Sequence, residues 1–131
     1  MENAASAPEP VCTAADAETL LRPLLAHAER EAVFVLYLDS HGVVLGIDAF
    51  PGGTDTADLP LREVMHAALR LDARRLVLAR NHSSGDPFPS QGDLETTRTL
   101  ALVAQRLGIR LVDHLIFAAG QCTSLKGEGL L

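Results

Sequence analysis

A single α/β domain is what this sequence predicts, on three observations. Its 131 residues suit one domain of ordinary size, and 47% of them are hydrophobic, enough to fill a core. Leucine- and alanine-rich stretches with helical spacing alternate with short apolar runs of strand character. Two of those runs, Ala32 to Asp39 and Val43 to Phe50, flank the turn Ser40-His41-Gly42 and read as a hairpin. Only 4% of the residues are aromatic, so Leu, Val, Ala and Ile must supply most of the packing.

Taken in order, residues 1–12 are rich in Ala, Pro, Ser and Glu and read as a disordered tail, with the folded domain over 13–131. Thr13 and Asp16 form a capping-box-like pair that opens a helix carrying Leu20, Leu21, Leu24 and Leu25, with Pro23 expected to bend it or delay its start. Ala32 to Asp39 is apolar on both faces, as in a strand covered on both sides. Pro51-Gly52-Gly53 ends the returning strand. Pro60, whose fixed φ suits a first turn, starts a helix with an apolar stripe of Leu61, Val64, Met65, Ala68 and Leu69. Leu76 to Ala79 is a short buried strand, and the Gly, Ser, Asp and Pro content of Asn81 to Pro89 marks a loop. Ser90 caps a long helix with Leu94, Leu100, Ala101, Val103, Ala104 and Leu107 turned inward, and Gly108 ends it. Ile109 to Ala118 and Gln121 to Leu125 are the last strands.

Charge narrows the function classes. Seventeen acidic residues against eleven basic ones leave a formal charge of -6, which argues against a broad phosphate-binding face, so no clear nucleic-acid surface is expected. Arg70, Arg74, Arg75 and Arg80 lie close together and read as a solvated helix end. Met1 to Pro10 has neither a basic nor an apolar signal region, and no apolar run is long enough to span a membrane. Cys12 and Cys122 form no Cys-x-x-Cys unit, so a reduced, cytoplasmic setting is the expectation.

The chemistry-bearing stretch runs from Arg80 to Asp93, from a strand end through a constrained loop to a helix start. His82 offers a ring nitrogen and Asp93 a carboxylate, a donor pair that suits zinc. Taken alone, Ser90-x-x-Asp93 equally fits a helix cap, with Asp93 favoured by the helix dipole.

Read in order, Asn81-His82, Ser84-Gly85, Pro89-Ser90-x-x-Asp93 and Asp113-His114, with Gly53-Thr54 and Arg62-Glu63 upstream, resemble the RadC-type JAB/MPN (JAMM) domains over roughly residues 16 to 131. The resemblance implies a mixed β-sheet flanked by helices, layered as in cytidine deaminases. It also implies zinc held by two histidines and an aspartate, and cleavage of amide or isopeptide bonds, often next to ubiquitin-like tails. Carried over residue by residue, His82 and Asp93 are the metal ligands, Glu31 is the general base and Ser90 stabilises the reacting centre, with Glu29 a near competitor for the base.

The match departs at two positions. The family's first histidine falls on Arg80, whose guanidinium has no acceptor and stays charged, so it cannot bind zinc. Ser83 replaces a proline. Two protein ligands remain where catalytic zinc usually has three, unless His114 supplies the third. Arg80 is expected instead to form an ion pair with Asp93 or Glu31. Two readings stay open: a degenerate, metal-poor JAB domain with weak or no hydrolase activity, serving as a binding or scaffold module, and an active metallopeptidase with a non-standard third ligand. Either one implies a protein or peptide partner. The hairpin edge offers a route to a homodimer, and the helical extension found N-terminal to this domain in the family is not matched.

Overall fold

The computed structural model describes residues 9–52 and 59–131. Three helices and five strands follow one another as α1 (Ala14–Ala26), β1 (Ala32–Leu38), β2 (Val44–Pro51), α2 (Leu61–Arg70), β3 (Arg75–Asn81), α3 (Gln91–Arg106), β4 (Arg110–Ala118) and β5 (Gln121–Ser124). The strands form one sheet in the order β2-β1-β3-β4-β5. The β3–β4 pair, joined through α3, is parallel, and every other pair is antiparallel, so the sheet is mixed.

The period of two along each strand divides the core into two layers. Val33, Val35 and Tyr37 of β1, with Leu76 and Leu78 of β3, face α2 and α3, where they meet Val64, Ala68, Leu100 and Ala104. The alternate residues Leu36, Leu38, Val77 and Ala79, with Leu115 and Phe117 of β4, face Ala17, Leu21 and Leu25 of α1. This explains why β1 and β3 read as continuous apolar runs: both are covered on both sides. Tyr37 buries its ring and donates its hydroxyl to Asp48 Oδ2 of β2 at 2.8 Å, satisfying its polar end.

Several expectations are corrected. Val11 is not part of a free tail: it is buried, and its N–H donates to Gly42 O at 2.8 Å. Gly42 has φ +85°, and a Cβ there would lie 2.5 Å from Val11 O, so the turn and this docking both require glycine. Pro23 does not delay α1, which runs unbroken from Ala14 behind a complete Thr13–Asp16 capping box. Leu69 and Leu107 are exposed rather than inward. Arg80 belongs to no solvated helix end, since it lies in β3 and is only 5% exposed. Gly53-Thr54 lies outside the described residues.

The face of α3 that meets the sheet carries Asp93, Thr97, Leu100 and Ala104. Its first turn is therefore polar, and it lies over the end of β3. Placing Asp93 over Arg80 is the fold's contribution to the site.

Candidate functional site

Arg80 follows Leu76 and Leu78 on the α3 side of β3, so the alternation that builds the core also drives its guanidinium inward. There Nη1 donates to Asp93 Oδ1 at 2.6 Å, with the two side chains 6% and 0% exposed. Of the two partners considered for Arg80, the structure pairs it with Asp93. The second carboxylate oxygen accepts from the Ser90 N–H at 2.8 Å and faces His82 Nε2 at 2.8 Å. Ser90 Oγ in turn accepts from the Asp93 N–H at 3.0 Å, completing a capping box. Burial pushes the Asp93 carboxyl up, but the Ser90 hydrogen bond and the Arg80 guanidinium outweigh it and hold the group below its ordinary value.

His82 is gripped at both ring nitrogens. Nδ1 lies 2.9 Å from the Asp86 carbonyl and Nε2 lies 2.8 Å from the Asp93 carboxylate. Both partners are acceptors, a backbone carbonyl on one side and a carboxylate on the other. Asn81 beside it clamps the entry to β1: Oδ1 accepts from the Ala32 N–H at 2.8 Å and Nδ2 donates to Arg30 O at 3.2 Å.

Glu31 lies across the loop from the Arg80–Asp93 pair. Its Oε2 accepts from both the N–H and the hydroxyl of Ser83, at 2.9 and 2.7 Å. Burial pushes the Glu31 carboxyl up, but these bonds and the positive charge of His82 and Arg80 bring it below its ordinary value overall. Ser83, which stands where the motif has proline, is thus the loop's tether to Glu31. Glu29 is exposed.

Beneath this layer lies a group that sequence reasoning did not assemble. Thr97 Oγ1 donates its one proton to Asp93 O at 2.7 Å, so its contact with His114 Nδ1, also 2.7 Å, must be accepted from the ring. That fixes His114 as the Nδ1–H tautomer and leaves a lone pair on Nε2, which is buried without a hydrogen-bond partner. Burial pushes His114 down to about 4. Asp113 is spent on structure, accepting from the N–H groups of His114 and Lys126 at 2.8 and 3.0 Å. The available signal was Thr97 at the fourth position after Asp93, on the same helix face. Cys122, half-buried, has its thiol pushed up to about 12 by burial and by Glu18, which suits no nucleophile.

A model of the RadC-like JAB domain matches residues 11–130. The chain belongs to this family. A UPF0758 protein of Symbiobacterium thermophilum is 40% identical over 112 residues, which cover 85% of this chain and 48% of that relative. A UPF0758 protein of Rhodobacter capsulatus is 41% identical over 108 residues, 82% of this chain and 50% of the relative. The chain thus spans about half the length of the curated relatives it matches. In this RadC-like JAB domain, the positions carried over from the motif, His82, Ser90 and Asp93, converge at hydrogen-bond distance. Glu31 stands apart from them on the Ser83 tether. Among the described residues no group of three or more His, Cys, Asp and Glu side chains is placed to hold a metal ion.

Proposed function

We propose that this RadC-like JAB domain is a metal-poor member of its family with weak or no hydrolase activity, acting as a module that binds a protein or peptide. The observation that carries this reading is the buried Arg80–Asp93 pair. A fixed guanidinium holds one of the two Asp93 carboxylate oxygens, and it places a positive charge beside the position a dication would take. The donors that remain do not fit zinc well. His82 and Asp93 are the two carried-over donors left, one fewer than catalytic zinc usually has. Glu31 fits a general base poorly for a separate reason: a carboxyl held below its ordinary value accepts protons weakly near neutrality. No helix among the described residues is long and apolar enough to cross a membrane.

One observation favours the competing reading of an active metallopeptidase with a non-standard third ligand: the unpartnered lone pair of His114 Nε2, a potential nitrogen donor. Elemental analysis of the purified protein separates the two readings. The proposal expects zinc well below one equivalent in the wild type and a gain toward one equivalent in Arg80→His. Near-stoichiometric zinc in the wild type, lost in both His82→Ala and His114→Gln, would overturn it and bring peptidase and isopeptidase assays to the front.

A further inference from the structure

A cavity of about 210 Å³ opens on the α1 side of the sheet, at the carboxyl ends of β3 and β4. Ligands of open α/β sheets commonly bind in crevices at the carboxyl ends of strands. Phe117, Ala118 and Leu25 form an apolar wall, and His82 stands at one side, its ring nitrogens already engaged. The cation is Arg22. Its guanidinium lies 5.5 Å from the centroid of the Phe117 ring, and its Nη1 donates to Gly120 O at 3.2 Å. Stacking, this bond and the Nη2 bond to Glu18 together fix the plane of the guanidinium, and three of its five N–H donors remain for a ligand.

We propose that this cavity binds a monoanionic carboxylate carried on an apolar group, as at the C-terminus of a peptide ending in an aliphatic residue. The planar guanidinium fork matches a carboxylate, and the Phe117–Leu25 wall takes the adjoining aliphatic side chain. Charge selects one negative charge over two. Among the described residues of the lining Arg22 and His82 are the basic side chains, and Glu18 pairs with Arg22 from the preceding turn of α1, so a phosphate dianion meets more repulsion there than a monoanion. The cavity shares His82 with the neighbouring site, whereas Asp93 is not among the described residues that line it.

The test is a two-dimensional amide NMR titration of the full chain with N-acetyl-L-leucine. The expected result is saturable shifts confined to His82 and Phe117 to Gln121, with a dissociation constant on the order of 1 mM for so small a ligand. N-acetyl-L-leucinamide, which lacks the charge, should bind about 10-fold more weakly or worse, and Arg22→Gln should weaken the acid by a similar factor. Ala26→Phe, which fills the cavity mouth and leaves Arg22 in place, should abolish the shifts while the rest of the spectrum keeps its dispersion. Absence of saturation, equal binding of the amide, indifference to Arg22→Gln, or displacement by inorganic phosphate would each overturn the proposal.

Discussion

Replacing Arg80 with alanine would leave the Asp93 carboxylate, 0% exposed, without the guanidinium now 2.6 Å from its Oδ1. Removing one partner of a buried ion pair generally costs about 3–5 kcal/mol, because the other charge is left desolvated. Here Asp93 keeps two contacts, the Ser90 N–H and His82 Nε2, each at 2.8 Å, so the lower end applies, about 3 kcal/mol. With an unfolding entropy of about 2.1 cal/mol/K per residue over 131 residues, that corresponds to a fall in Tm of about 11 °C. The penalty is also tied to pH. The folded Asp93 carboxyl lies below its ordinary 3.8, so the stability it lends is fully present above that value and is lost as pH falls through the folded value. Urea unfolding of wild type and Arg80→Ala at pH 7 and at pH 3 should therefore show a gap that narrows in acid. Adding Asp93→Asn to Arg80→Ala should recover part of the loss, since the amide removes the stranded charge yet keeps an oxygen for the Ser90 N–H. A cost under about 1 kcal/mol at pH 7, or an equal cost at both pH values, would refute the reasoning about this pair.

Two further outcomes follow from the same region. His114 is pushed by burial from 6.5 to about 4, so between those values the unfolded chain takes up a proton that the folded one refuses. Stability should fall as pH drops through that window, and His114→Gln should flatten the fall, while a ¹⁵N imidazole spectrum should show the Nδ1–H tautomer. Asn81→Ala removes the acceptor of the Ala32 N–H and the donor to Arg30 O; a cost of about 1–2 kcal/mol is expected, with faster hydrogen exchange at Ala32, and unchanged protection there would remove Asn81 from the clamp.

Much of the architecture was legible because hydrophobic burial writes itself along the chain. The two-faced apolar runs of β1 and β3 could be read directly, as could both capping boxes. Misreadings occurred where the buried face was not apolar. In α3 a search for inward leucines picks Leu94 and Leu107, whereas Asp93 and Thr97 share the inner face with Leu100 and Ala104, and Leu107 sits exposed at the helix end. Leu69 is exposed for a related reason: α2 buries a narrower stripe than its leucine content suggests. At the site, motif order brought His82, Ser90 and Asp93 together, but the choice between Asp93 and Glu31 as partner of Arg80 depended on sheet alternation and on Ser83 engaging Glu31 first. The His114 tautomer was out of reach of any pattern, because it follows from the single proton of the Thr97 hydroxyl.

Asp93 serves the start of a helix and the interior of the domain with the same two oxygens. Changes at Ser90, His82 and Arg80 should consequently be non-additive in stability, since the cost of a change at any one of them depends on what the carboxylate still has to hold. An asparagine at position 93 would be tolerated by Ser90 and resisted by Arg80; a histidine at position 80 would release the carboxylate but strip the interior of its balancing charge.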